Sequence, residues 1–217
     1  MATHLDLEEQ EQLDQLKAFW KQYGNLITWA VIAALGTFAA WNGWNWWQRE
    51  QAISASGMYD ELEKAVETGD LATTGRIFND LKSRYPRTAY AEQGGLLTAR
   101  VQYDKGQKDA SRETLTWVAD KANDKEYQTL AHLRLAGVLL DEQKHDDALK
   151  QLDAATAKGF EPLVADRRGD VLAAQNKPAE ATAAYQQAWK GIDSKLGYRR
   201  LVEAKLNALG AAPEAVR

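Results

Sequence analysis

The chain has 217 residues, of which 45% are hydrophobic and 27% charged, with a net charge of −4 and a mean hydropathy of −0.53. That is enough for one medium domain plus an appendage. It has no cysteine, which excludes disulfide frameworks, thiolate metal sites and cysteine nucleophiles, and no large basic field of the kind that holds nucleic acid.

Residues 1–21 form an acidic tail, in which Asp6, Glu8, Glu9, Glu11 and Asp14 outnumber Lys17 and Lys21. No charged residue then occurs until Arg49, and Leu26 to Trp47 reads LITWAVIAALGTFAAWNGWNWW. As a helix this run spans roughly 33 Å, the thickness of a bilayer's hydrocarbon core. A buried core helix of this length would carry a polar stripe, and none appears before Asn42. A cleavable signal peptide would have a shorter apolar run behind a basic start. The pattern predicts an uncleaved signal-anchor over residues 22–48.

Tryptophan prefers the membrane–water interface, where its ring is half buried and its N–H stays wet. Trp41, Trp44, Trp46 and Trp47 therefore read as a belt at one interface and Trp20 at the other. Lys17 and Lys21 precede the span and Arg49 alone follows it closely, a bias that places the amino terminus inside. Ala33, Gly36, Ala40 and Gly43 fall on one face of the span, where small side chains let a partner helix approach.

Beyond Arg49 the chain alternates amphipathic stretches with short breaks. Thr74, Ser111, Ala148 and Ala181 are small residues spaced 37, 37 and 33 apart. Each is followed four positions later by a large apolar residue (Phe78, Leu115, Leu152, Tyr185) and three further on by Leu81, Val118, Ala155 and Ala188. Twelve positions before them stand Leu62, Ala99, Ala136 and Gly169. Periods of this size signal a helical solenoid, in which a two-helix unit buries its apolar face only against its neighbours. The expected pairs are residues 52–67 and 72–84, 88–104 and 108–121, 125–142 and 146–157, and 161–175 and 178–190. A last helix over 198–208 would cap the open end. The fold class is thus all-α: one transmembrane helix, then a tetratricopeptide-like solenoid of about four helix pairs over 49–210, and a tail over 211–217.

The anchor followed by QREQAISASGMYDEL, the later IFNDLKSRYPRTAYA, and the ending LRLAGVLLDEQKHDDALKQLDA with RRGDVLAAQNKPAEATAAYQQAW resemble the YfgM family of Gram-negative bacteria. The resemblance covers nearly the whole chain. It implies an ancillary subunit of the SecYEG translocation channel, anchored in the inner membrane with its repeats in the periplasm. It also implies a pairing with the membrane-anchored chaperone PpiD, and a role in passing client polypeptides to other periplasmic chaperones. Restraint of envelope stress signalling by the acidic tail is a further implication. A cytoplasm-facing scaffold, or one serving polysaccharide machinery, is the alternative.

Chemistry is sparse. His4, His132 and His145 lie in the tail, on a helix and in a turn, and nothing groups them around a metal. There is no Walker loop, nucleophile elbow or dinucleotide fingerprint. Gly94-Gly95, within a predicted helix, reads as a place of close helix packing. The charged runs DEQKHDD and DDALK read as a solvated face. No enzyme, cofactor or small-molecule substrate is expected. Binding falls to the concave face, made mostly by the first helix of each pair. The repeat frame projects Tyr59, Leu96, Arg100, Tyr103, Leu133, Asp166 and Asp170 onto that face.

Overall fold

Alanine, leucine, lysine, glutamine and glutamate favour helix, and helix is what forms. The computed structural model describes residues 7–212, and among the described residues there are nine helices and no strand. They are α1 (Leu7–Glu67), α2 (Leu71–Arg84), α3 (Ala89–Asp104), α4 (Lys108–Lys121), α5 (Lys125–Asp141), α6 (His145–Ala154), α7 (Glu161–Ala174), α8 (Pro178–Gly191) and α9 (Tyr198–Ala208). The chain divides into two compact units, one up to Glu50 and one from Gln51 onward. Asp6 and His4 lie outside the described residues.

In the first unit α1 is long and apolar enough to cross a membrane, and only 6% of its most apolar window is buried. A soluble core helix would bury most of that window. Three of its polar side chains bond to the helix backbone. Thr28 Oγ1 donates to the Gly24 carbonyl at 2.8 Å, Thr37 Oγ1 to Ala33 at 2.8 Å, and Asn42 Nδ2 to Phe38 at 2.9 Å. In hydrocarbon, where no water can serve, this internal pairing removes a cost of several kcal/mol per group. Trp20, Trp41, Trp44, Trp46 and Trp47 are all exposed, and the rings of Trp44 and Trp47 lie 5.3 Å apart. Gly36 and Gly43 have open space where a Cβ would stand.

The second unit is a stack of helices. The anchors Thr74, Ser111, Ala148 and Ala181 are all buried, as are the positions four and seven residues after them. Leu62, Ala99, Ala136 and Gly169, twelve residues before, are buried as well. The repeat read from the sequence is therefore the packing register itself. Four apolar clusters result, each drawn from consecutive helices. Leu62 with Phe78 and Leu81 joins the end of α1 to α2. Leu96, Leu115 and Leu135 join α3, α4 and α5. Ala136, Leu152 and Val171 join α5, α6 and α7. Leu172, Tyr185 and Leu206 join α7, α8 and α9.

Two glycines set the closest approaches. A Cβ on Gly95 would stand 2.4 Å from Val118 Cγ2, and one on Gly169 would stand 2.4 Å from Tyr185 Cε1. A Cβ on Gly94 would stand 3.0 Å from Leu62 Cδ2 and 3.2 Å from Leu81 Cδ1. The glycine pair is thus a packing contact, as its place inside a helix implies.

Helix ends follow local chemistry. Asp70 accepts the Thr73 N–H at 3.1 Å and Thr88 accepts the Ala91 N–H at 3.3 Å, each capping the helix behind it. The turns before α2 and α4 use Gly69 and Gly106 at φ +69° and +78°. Two expected boundaries differ by more than one residue. A helix start at Ala52 is not seen, because Gln48 to Gln51 includes no glycine, proline or capping residue to interrupt α1. The second helix of the third pair ends at Ala154 rather than Ala157. There the Ala157 N–H leaves the helix to donate to buried Thr129 Oγ1 on α5, at 3.0 Å.

Gly95→Ala forces Val118 to move in a filled layer, so the variant should lose about 1–3 kcal/mol by overpacking, read by urea unfolding of the whole chain in detergent. Glu92 offers a second test. It is buried, and Glu92 Oε1 accepts the Asn123 N–H at 2.7 Å. Burial raises its pKa above the ordinary value. The folded state then keeps a proton that the unfolded chain has already released, so stability falls as pH rises through that interval. Glu92→Gln removes this penalty. Its stability relative to the parent should rise as pH climbs above the ordinary carboxylate range, and denaturation midpoints that move in parallel would contradict it.

Candidate partner-binding groove

Helices α3, α5 and α7 are the first helices of pairs two to four, and they touch in that order. Their shared face holds a cavity of about 440 Å³. Arg100 and Tyr103 come from α3, Arg134, Gly137 and Asp141 from α5, and Arg167 from α7. The cavity also touches Ala99 and Ser111, which are buried, and Ser111 Oγ donates to the Ala99 carbonyl at 2.8 Å. That bond ties α4 to α3 and engages the hydroxyl proton of Ser111.

The walls carry three guanidinium groups against one carboxylate. Asp141 accepts a hydrogen bond from the Tyr103 hydroxyl across the groove, and this raises the Tyr103 pKa. Arg100 lies 3.7 Å from Asp104 in an exposed pair, an arrangement that contributes little. Arg167 Nη1 reaches Asp170 at 3.3 Å. Arg134 Nη1 donates to the Leu96 carbonyl at 2.7 Å, and among the described residues no carboxylate forms an ion pair with it. Its side chain keeps solvent access, yet partial desolvation, and then the charge of Arg100, hold its pKa below the usual guanidinium value.

The seven residues projected onto the concave face do not gather in one place. Arg100 and Tyr103 share the groove. Tyr59 is half-buried on the first pair and packs against Tyr90 at 5.7 Å between ring centres. Leu96 is buried in the core, and Leu133 is half-buried against the α5–α6–α7 cluster.

Asp166 and Asp170 turn inward. Asp166 is 1% exposed and accepts from the Tyr198 hydroxyl at 2.5 Å and from Lys205 Nζ at 2.9 Å on both oxygens. Asp170 Oδ1 accepts from Tyr185 at 2.8 Å and lies 2.7 Å from Lys205 Nζ. Burial, then these carboxylates, push both tyrosine pKa values upward. Asp166 thus belongs to a clamp holding α9 on α7 and offers no surface. Arg134 and Arg167 were outside the projected set, although the spacings Arg100–Arg134–Arg167, 34 and 33 residues, carried the repeat signal. His132 Nδ1 shares a hydrogen bond with Gln151 Oε1 at 2.8 Å.

A family model described as a tetratricopeptide repeat-like domain matches residues 17–211. The chain is 34% identical to a protein of Neisseria gonorrhoeae (strain ATCC 700825 / FA 1090) named ancillary SecYEG translocon subunit, over 96% of this chain and 100% of that one. Proteins with the same name match from Haemophilus influenzae, at 28% over 94% and 98% of the two chains, and from Escherichia coli K12, at 26% over 93% and 96%.

Asp166→Ala removes the acceptor of the Tyr198 hydroxyl and one of the two carboxylates on half-buried Lys205, which keeps Asp170 at 2.7 Å. Losing these bonds should destabilise the repeat unit by about 1–3 kcal/mol. Thermal unfolding checks the loss, and Asp166→Ala combined with Lys205→Met should recover part of it.

Proposed function

Because this chain belongs to the YfgM family, whose curated members are named ancillary SecYEG translocon subunits, we propose that it is a membrane-tethered tetratricopeptide scaffold at the SecYEG channel. The observation carrying this reading is coverage. The match to those subunits takes in nearly all of this chain, and the family model begins ahead of the apolar span and ends past α9. The chain works by contact, with no chemistry of its own.

The proposed topology is a single pass through the inner membrane, with residues 1–21 in the cytoplasm, the span at 22–48, the repeats at 49–210 in the periplasm and a short tail at 211–217. Lys17 and Lys21 before the span support it. The exposed tryptophans suit the two interfaces, and the open face of Ala33, Gly36, Ala40 and Gly43 suits a neighbouring membrane helix. The proposed partners are SecYEG itself, PpiD, and periplasmic chaperones or client polypeptides that meet the repeats. The repeat groove, with Arg100 and Tyr103 on its wall, is the surface this role would use.

A photo-crosslinker at Gly36 or Ala40 in living Gram-negative cells should capture SecYEG or PpiD subunits. A carboxyl-terminal phosphatase fusion should be active, as a periplasmic position requires. Exclusive capture of other complexes, or an inactive fusion whose fluorescent counterpart glows in the cytoplasm, would overturn the reading.

A further inference from the structure

The clearest unmet demand in the molecule is charge. Three arginines, one from each of three adjacent helices, face one cavity lined by a single carboxylate, which Tyr103 engages; Arg100 and Arg167 reach acids of their own helices only, Asp104 at 3.7 Å and Asp170 at 3.3 Å. Arg112 and Arg168 show the contrast: each reaches a carboxylate of another helix or turn at 2.7 and 2.6 Å. Arg134 has only a backbone carbonyl. A guanidinium is a planar fork suited to gripping a carboxylate in a bidentate way.

We propose that the α3–α5–α7 groove binds an acidic segment of a partner polypeptide in extended conformation, its Asp or Glu side chains seated on Arg134 with Arg100 or Arg167. The spacing fits. Packed helices lie about 8–10 Å apart. A polyproline-II chain has three residues per turn and rises about 3.1 Å per residue, so acids three apart point the same way about 9 Å from each other. Acids at i and i+3 are therefore spaced about as far apart as the helices that carry the arginines. Tyr103 and Val138 supply apolar wall beside the charges, which favours a peptide over a free anion. A bound carboxylate also relieves the mutual repulsion of Arg100 and Arg134. This deepens the scaffold reading above, on which it rests, by stating the chemistry of the segment the repeats grip.

The test uses the full chain in nonionic detergent micelles and fluorescence anisotropy of a labelled proline-rich peptide with Glu at every third position. Binding should appear, weaken as salt rises, and fall at least about tenfold with the Gln counterpart peptide. Arg134→Gln should weaken binding about tenfold, and Arg134→Lys, which keeps the charge but loses the fork, by less. Arg168→Gln, outside the groove, should leave it unchanged. Equal binding of the Gln peptide, an Arg134→Gln chain that binds like the parent, or an equal loss in Arg168→Gln would each overturn the proposal. So would capture of anionic lipid vesicles in place of the peptide. Circular dichroism of Arg134→Gln should match the parent; if it does not, the salt dependence and the Glu-against-Gln comparison on the parent chain still decide. Crosslinking from Gly36 is independent of Arg134, so failure at the channel and failure in the groove are separate results.

Discussion

The repeat unit depends on how closely its helices are allowed to approach. At Gly95 and Gly169 the backbone meets Val118 and Tyr185 with no room for a methyl group. At Ala148 and Ala181 a single methyl fills the gap and is fully buried. Close approach brings the apolar layers of neighbouring helices into dispersion contact, and such contacts are individually small and collectively large. It also puts the groove floor in place. Ser111 reaches the Ala99 carbonyl only because α3 and α4 lie this near each other. The arginines on the wall are then held by a rigid backbone beneath them.

The first unit obeys a different rule. With lipid as solvent, the exposed apolar surface of α1 carries no penalty and the backbone is the costly part. Thr28, Thr37 and Asn42 turn back on their own helix. The large tryptophan rings face outward, an arrangement that would promote aggregation on a water-soluble surface.

Much of this was legible in the sequence because spacing encodes packing. The small-residue register from Thr74 to Ala181 named positions that prove buried at every repeat. What the register could not carry was information from outside the repeat. Asp166 and Asp170 project toward the inner face in the frame, but Lys205, 39 residues beyond Asp166, captures them, and α9 has no counterpart in the earlier pairs. The early end of α6 depends on Thr129, 28 residues away. Arg134 and Arg167 escaped because they sit two positions before the aligned small residues Ala136 and Gly169, whereas Arg100 sits one after Ala99. A cavity gathers side chains from different turns, and an alignment column does not.

The Asp166 clamp changes how the end of the solenoid behaves. In a stack with only nearest-neighbour contacts, the terminal helix frays alone and the rest persists. Here α9 holds α8 by packing and α7 by Lys205 and Tyr198, so it reaches past its neighbour. Helices α7, α8 and α9 are thereby held together by both an apolar cluster and a polar clamp. The carboxyl-terminal cap therefore opens only by giving up both its packing on α8 and its polar bonds to α7, the helix that supplies Arg167 to the groove.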